Sequence, residues 1–166
     1  MSKIKHISFD LDGTLIDSFP IMKVAWESSM VDLNLNCGFS EYKKHVGVPF
    51  PTILELLDLS SYEKDLSKLY FSHTKRLAGD VKTFYGARDV FNWASKIGIS
   101  TSIITAKPRE NAELLCDKLN IPVNFLVCGD DHRHGKPNAF VADAVLEKFD
   151  VLPSEVLYVG DMAVDF

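Results

Sequence analysis

The chain has 166 residues, of which 46% are hydrophobic and 25% are charged, as in an ordinary soluble globular protein. Its formal net charge of −5 argues against nucleic acid or an anionic membrane as the main partner. The three cysteines, Cys37, Cys116 and Cys128, lack CxxC spacing, so we expect reduced thiols in a cytoplasmic protein. We also expect no signal peptide and no membrane-spanning segment.

The first half of the chain predicts one strand followed by helices. Residues 4–9 form a short apolar run that ends abruptly at Asp10-Leu11-Asp12-Gly13, which predicts a strand and a turn. Ser18 is expected to be the N-cap of a helix that reaches about residue 35, with Pro20 in its first turn. Ser40 and Pro51 begin two shorter helical stretches. A helical spacing of apolar residues then predicts a further helix up to about residue 77, and no strand pattern occurs between residues 18 and 77.

The second half of the chain alternates between helix and strand patterns. Strands are predicted at residues 100–105, 125–128 and 156–159, with helices after Gly86, after Pro108 and over residues 139–149. Such alternation predicts βαβ units and an α/β fold with a Rossmann-like parallel sheet. The first strand belongs with the later ones, so the all-helical block is an insertion. We expect a core of residues 1–16 and 85–166 and an inserted helical domain of residues 17–84.

Polar residues follow the predicted strands, at the edge where open parallel sheets bind ligands. Asp10 and Asp12 follow the first strand, Thr105 the second, and Asp161 the last, while Lys136 follows the third after a short loop. One carboxylate at such a place can attack phosphorus, and a second can protonate the leaving oxygen. Carboxylates repel a phosphate dianion, so a divalent cation is needed, and Mg²⁺ suits carboxylates and phosphate together.

Four segments resemble the motifs of the haloacid dehalogenase superfamily, in that family's order. The first is Phe9-Asp10-Leu11-Asp12-Gly13-Thr14-Leu15, and the second is Ile103-Ile104-Thr105-Ala106-Lys107-Pro108. Gly135-Lys136-Pro137 resembles the third motif, and Gly160-Asp161 with Asp165 resembles the GDxxxD fourth motif. The resemblance covers essentially the whole chain and is nearest to phosphoglycolate phosphatase-like members with a helical cap.

The resemblance implies a role for each of these residues. Asp10 would be the nucleophile and Asp12 the general acid and base. Thr105 and Lys136 would bind the phosphoryl group. Mg²⁺ would be held by Asp10, the backbone carbonyl of Asp12 and Asp161, with Asp165 in support. The helical insertion would be the mobile cap.

The predicted activity is hydrolysis of a small phosphorylated metabolite, of the phosphoglycolate or sugar phosphate type, through an aspartyl-phosphate. The alternatives are a phosphomutase of the same family or a truncated, non-catalytic interaction protein; a signalling receiver domain fits poorly because its phosphorylated Asp lies mid-chain. We expect no nucleic-acid or membrane partner, and a monomer or weak homodimer. Family members usually continue beyond the fourth motif, so a C-terminally short core is expected to affect the placement of Asp161 and Asp165.

Several of these residues also have an ordinary structural interpretation. Thr105 could cap a helix, Lys136 could be a surface lysine, and Asp165 could be a helical surface acid. Lys107 could touch substrate or cap the following helix. His132 and His134 are expected in a solvated loop rather than a zinc site, because no cysteine lies at ligand spacing. The aromatic residues of the insertion are expected to pack between helices: Trp26, Tyr42 and Phe50.

Overall fold

The computed structural model describes residues 3–131, 135–136 and 138–165. His132 and His134, for which a solvated loop is predicted, lie outside the described residues, as does Pro137 of the third motif. Within the described part of the chain, each helix is too short or too polar to cross a membrane. The cysteines Cys37, Cys116 and Cys128 are free thiols.

A four-stranded parallel sheet with strand order β5-β4-β1-β6 forms the core. The strands β1 and β4 are buried along nearly their whole length, as is typical of the central strands of a parallel sheet, whereas β6 is partly exposed. The predicted α/β fold with a parallel sheet is therefore confirmed, although β1 and β5 are shorter than predicted. The strand bounds are β1 His6–Phe9, β4 Ser100–Ile104, β5 Leu126–Val127 and β6 Val156–Val159.

Helices pack on both faces of this sheet: α5 Asp89–Lys96, α6 Arg109–Lys118 and α7 Phe140–Phe149. Successive side chains of a strand point to opposite faces, and β4 shows this directly. Ile103 joins a buried cluster with Phe91 of α5 and Leu115 of α6, whereas Ile104 packs against Val145 of α7. Short 3-10 turns at Pro153–Glu155 and Ala163–Asp165 flank β6.

The helical block lies between two strands of two residues each, β2 Ile16–Asp17 and β3 Lys82–Thr83. These strands pair antiparallel, with Ile16 opposite Thr83, so both connections to the block run side by side. The domain boundaries expected at residues 16/17 and 84/85 stay a prediction. The block contains α1 Phe19–Asp32, α2 Phe39–Lys43, α3 Phe50–Leu56 and α4 Glu63–Arg76, with 3-10 turns at Ser60–Tyr62 and Ala78–Asp80.

The helical block has its own buried cluster, which is rich in aromatic rings. Trp26 of α1 stacks on Tyr42 of α2 at 4.4 Å between ring centroids, and Phe50 of α3 stacks on Tyr70 of α4 at 4.9 Å. Offset aromatic contacts of this kind stabilise beyond the area they bury. Tyr42 also lies 5.5 Å from Tyr70 between ring centroids, so the expected aromatic packing joins all four helices.

Helix α1 begins after Ser18, so Ser18 occupies the predicted N-cap position, and its carbonyl accepts a hydrogen bond from the backbone N–H of Met22. The Ser18 side chain makes no capping hydrogen bond to the backbone of the first turn, although its hydroxyl lies 3.6 Å from Sδ of Met22. Its hydroxyl instead donates to Oδ1 of Asp12 at 2.5 Å. A hydrogen bond to a carboxylate is stronger than one between neutral groups, which favours this orientation of the Ser18 hydroxyl.

Candidate active site

Asp10 lies directly after β1 and is almost completely buried, at 5% exposure. Its backbone N–H donates to the carbonyl of Val159 in β6, which extends the parallel pairing to the end of the strand. Its Oδ1 accepts a hydrogen bond of 2.5 Å from Nζ of Lys136. The strand and the lysine together fix this carboxylate at the carboxyl edge of the sheet.

Lys136 bridges two buried carboxylates. Beside the bond to Asp10, its Nζ donates to Oδ1 of Asp165 at 2.8 Å and to the hydroxyl of Tyr158 at 3.2 Å. The Asp165 side chain is fully buried, and its Oδ2 accepts from the backbone N–H of Met162. The alternatives of a surface lysine at 136 and a surface acid at 165 are therefore wrong.

Burial and like charge shape the ionisation of this group. Burial raises the pKa of Asp10 to about 7; Lys136 opposes that rise, and the nearby Asp12 and Asp165 add to it. Burial by itself would lower the pKa of Lys136, but Asp10, Tyr158 and Asp165 raise it above its ordinary value. Lys136 therefore stays charged. Its positive charge only partly offsets the effect of burial on the Asp10 carboxylate.

Asp12 is held from two sides. Its Oδ1 accepts from Ser18, and its Oδ2 lies 3.2 Å from Nζ of Lys107, whose side chain is only 7% exposed. Lys107 thus pairs with a carboxylate of the first motif. The sequence had suggested either a substrate contact or a helix cap for Lys107, and not this ion pair. Asp12 and Asp10 belong to the same turn but have different lysine partners, so their environments differ.

Thr105 follows β4, and its backbone N–H donates to the carbonyl of Val127 in β5. Its hydroxyl accepts from the backbone N–H of Lys107 at 3.2 Å. The N-cap position of α6 is Pro108, so Thr105 does not cap that helix. The hydroxyl lies in the loop between β4 and α6, facing the cavity that Asp10 and Asp12 line.

Asp161 is exposed, and its Oδ1 accepts a hydrogen bond of 3.1 Å from the hydroxyl of Thr14. Partial burial of the carboxylate raises its pKa, while the Thr14 hydroxyl opposes that rise. Gly13 lies beside it with a φ of +84°, and a Cβ at that position would clash with the Asp161 carboxylate. A glycine is therefore required for the close approach of these two strand ends.

Asp10, Asp161 and Asp165 place one carboxylate oxygen each within 4.8 Å of one another. Hard oxygen donors in such a cluster suit Mg²⁺. The raised pKa of Asp10 points the same way, because Lys136 alone does not offset the burial of its charge. The donor set thus fits a divalent cation.

The structure brings together all six residues that the sequence singled out for the site. Asp10, Asp12, Thr105, Lys136, Asp161 and Asp165 lie around the carboxyl ends of β1, β4 and β6. Sequence reasoning missed the contacts of Ser18, Lys107 and Tyr158. Lys107 belongs to the second motif and Ser18 follows the first motif closely, which was a usable signal, but Tyr158 in β6 carried none.

A cavity of about 40 Å³ lies between this charged edge and the helical block. A water needs about 10–15 Å³ of such volume, so the space holds only a few waters or a group of similar size. Its core side includes Asp10, Asp12, Thr105 and Lys107. Helices α1 to α4 and the loop before α3 supply the opposite side.

A family model described as haloacid dehalogenase-like hydrolase matches residues 7–166. The chain belongs to this family, which confirms the family resemblance seen in the four motifs.

Proteins with similar sequences are named as phosphatases. "Phosphoglycolate phosphatase" of Pseudomonas syringae pv. tomato is 28% identical over 97% of this chain and 64% of its own length. "Pyrophosphatase PpaX" of Oceanobacillus iheyensis is 26% identical over 95% of this chain and 75% of its own. The crystal structure of a hydrolase from Pseudomonas syringae has a TM-score of 0.89 at 24% identity, over 98% of this chain and 77% of that one. This chain thus spans less than two thirds of the phosphoglycolate phosphatase, and the structural likeness supports the fold.

Proposed function

We propose that this chain is a magnesium-dependent phosphatase that acts on a small phosphorylated molecule through an aspartyl-phosphate at Asp10. The observation that carries the proposal is the pair of unequal carboxylates after β1. Asp10 contacts Lys136 at the sheet edge, whereas Asp12 contacts Ser18 and Lys107. The names of the relatives, phosphatase and pyrophosphatase, support the same reaction class.

In the first half of the reaction, a carboxylate oxygen of Asp10 attacks phosphorus and the bond to the leaving oxygen breaks. The carboxyl of Asp12 donates its proton to that leaving oxygen, so the alcohol departs neutral. In the second half, water attacks the phosphorus of the aspartyl-phosphate and gives its proton to Asp12. Inorganic phosphate leaves, and Asp10 is a carboxylate again.

The remaining groups bind and orient the phosphoryl group. The Lys136 ammonium and the Thr105 hydroxyl are placed to bind its non-bridging oxygens, which carry the charge in the transition state. Ser18 and Lys107 fix the Asp12 carboxyl between them, which limits the directions in which it can give or accept a proton. Asp10, the backbone carbonyl of Asp12 and Asp161, supported by Asp165, would hold Mg²⁺.

Bound Mg²⁺ would neutralise carboxylate and phosphate charge so that the two can approach. The helical block, residues 17–84, would act as a cap that closes over the site and excludes water. The paired strands β2 and β3 give it two adjacent connections to the core, which suits a hinge.

The test is phosphate release from a panel of small phosphomonoesters in the presence of Mg²⁺. Asp10→Asn is expected to abolish turnover while the fold is kept, because an amide is not a nucleophile of this kind and a metal ligand is lost. Asp117→Asn, an exposed residue of α6, is the matched control. Turnover of Asp10→Asn within tenfold of wild type contradicts the assignment.

A second measurement separates hydrolysis from transfer. Acid-quenched wild type is expected to carry a phosphoryl group on the peptide that contains Asp10, as seen by mass spectrometry. If labelled enzyme forms but phosphate passes to a second alcohol instead of water, the phosphomutase alternative is correct. If no phosphate is released and no label appears, the proposed function is wrong.

A further inference from the structure

The helical block presents an apolar wall to the small cavity above the carboxylates. Apart from the glycine backbone at 47 and two tyrosines, the described part of this wall consists of hydrophobic side chains. They are Met22, Val46, Val48, Phe50, Ile53 and Phe71. The core side of the cavity holds the reacting carboxylates, so a leaving group that points away from them toward the helical block lies against this wall.

The two tyrosines on this wall are neutral and satisfy each other. The hydroxyl of Tyr42 donates to that of Tyr70 at 2.8 Å, and both residues are buried. Burial raises the pKa of both hydroxyls above the ordinary value, so neither carries charge at neutral pH. The polar groups that these two tyrosines present to a bound molecule are therefore neutral hydroxyls.

Lys107, which lines the cavity, and Lys136, which contacts Asp10 beside it, are already paired with carboxylates of the core. Lys136 lies between Asp10 and Asp165, and Lys107 contacts Asp12. Within the described residues, the wall from the helical block thus has no positive charge for a second anionic group. A carboxylate buried there would lose its hydration without gaining a counter-ion, which is strongly unfavourable.

A second cavity, of about 320 Å³, shares Phe50, Phe71, Ala106 and Pro108 with the first. Its described lining adds prolines and two hydroxyl groups, and its charged member is Asp130. Oδ1 of Asp130 accepts a hydrogen bond from the backbone N–H of Arg109, which fixes the carboxylate at this place. A leaving group that extends this way meets apolar surface and a negative charge.

We propose, on the basis of the phosphatase function above, that the substrate is the phosphate monoester of a neutral, largely apolar alcohol. Phosphorylated carboxylic acids and bisphosphates are then poor substrates. This inference departs from the sequence-based expectation of phosphoglycolate or a sugar phosphate. It follows from the wall that the helical block supplies, because the core groups bind only the phosphoryl part that all these molecules share.

The decisive comparison is isobutyl phosphate against 2-phosphoglycolate, which have the same number of non-hydrogen atoms. The first ends in two methyl groups and the second in a carboxylate. We expect kcat/KM with Mg²⁺ to be at least tenfold higher for isobutyl phosphate. A ratio below ten, or a preference for phosphoglycolate, overturns the inference while leaving the proposed function intact.

Binding of the non-hydrolysable analogues keeps the inference testable if neither ester is hydrolysed. Isobutylphosphonate is expected to bind at least tenfold more tightly than phosphonoacetate in calorimetry with Mg²⁺. Absent turnover together with this binding preference means that the proposed function is wrong but the ligand class is right. Equal binding, or tighter binding of phosphonoacetate, overturns the ligand class.

A positive charge added to the wall should weaken the preference for isobutyl phosphate over phosphoglycolate. Val48→Lys places an ammonium at the half-buried edge of the cavity and is expected to lower the isobutyl-to-glycolate ratio at least tenfold. Val31→Lys adds the same charge on α1 at a position that is 79% exposed, and it should keep the wild-type ratio. An unchanged ratio in a folded Val48→Lys protein contradicts the inference; if that variant does not fold, the two ligand comparisons decide.

Discussion

The wall supplied by the parallel sheet and the wall supplied by the helical block differ in charge. On the sheet side, Asp10, Asp12, Lys107 and Lys136 form buried ion pairs across the strand ends. On the helical side, aromatic and aliphatic side chains pack against one another and their hydroxyl groups pair internally. Burying an unpaired charge has a large desolvation free energy. The charged groups must therefore be held close to their partners, and the strand ends of the sheet hold them there.

This contrast suggests a division of work between the two regions. Charges that act on phosphorus belong to the sheet, whereas the helical block determines which alcohol fits. If that division is correct, changes on the sheet side should alter turnover of every substrate. Changes on the helical side should alter stability or selectivity and leave the reaction itself intact.

The largest expected effect is that of metal removal, which acts only on the sheet side. Chelation should abolish phosphate release, because the Lys136 ammonium does not balance the negative charge of Asp10, Asp161, Asp165 and the phosphate together. Added Mg²⁺ should restore the activity, and Ca²⁺ should restore little of it, since it prefers a looser geometry with more ligands. Melting curves in the chelator serve as the control for folding. Full activity in excess chelator would contradict a metal-dependent reaction.

Asp12→Asn should lower kcat for an alkyl phosphate by about 10²–10⁴-fold, because the leaving alcohol and the attacking water lose their acid and base. The loss should be smaller in the formation of the aspartyl-phosphate from 4-nitrophenyl phosphate, whose leaving group needs little protonation. Single-turnover kinetics with both esters measure this difference. Asp32→Asn on α1, where the carboxylate contacts His73, is the matched change in the helical block and should stay within twofold. Equal losses for both esters would argue against acid catalysis by Asp12.

His6 should make the stability of the sheet depend on pH. Its imidazole is fully buried, with Nδ1 2.7 Å from the Ser100 hydroxyl and Nε2 2.8 Å from the Ser102 hydroxyl. Burial lowers the pKa of His6 from 6.5 to about 4. The folded state thus favours the neutral ring. The contribution of His6 to the free energy of unfolding is complete above pH 6.5 and is lost as the pH falls to 4. The free energy involved is about 3 kcal/mol at 1.36 kcal/mol per pKa unit.

The measurement is urea unfolding of wild type and His6→Gln between pH 4 and 7 without Mg²⁺. Asp10, with its raised pKa, has the opposite pH dependence, so the difference between the two proteins isolates the histidine. This difference should change by about 3 kcal/mol over that range. A flat difference for His6→Gln would refute the buried neutral ring.

Tyr42→Phe should have the smallest effect, a loss of about 1–2 kcal/mol in the free energy of unfolding. The substitution removes the hydrogen bond to Tyr70 and leaves that hydroxyl buried without its partner. Turnover of isobutyl phosphate should remain within a few-fold of wild type, since the hydroxyl lies on the helical wall. Tyr62→Phe, 40% exposed, is the control and should stay within about 0.5 kcal/mol. A large loss of turnover without a matching loss of stability would show that the helical block takes part in the reaction.

The sheet and the charged edge could be predicted from the sequence because they depend on local patterns. Apolar β-branched runs gave the four core strands, and the polar residues after them had to converge, since adjacent parallel strands end at the same edge. Asp10 and Asp161 therefore lie near each other although they follow strands far apart in the chain. The strands β2 and β3 were missed because two residues carry no periodicity.

The sequence by itself determined the family, the parallel sheet and the set of residues at the strand ends, because each rests on a short motif or a periodic run. Only the tertiary structure decided which partner each charged group has: Ser18 and Lys107 for Asp12, and Tyr158 beside Lys136. It also decided that the wall facing them is apolar, since that wall is assembled from four helices whose aromatic residues the sequence assigned to packing alone. Side-chain partners across such distances depend on how the elements dock, and docking is set by the shape of the whole core rather than by any local pattern.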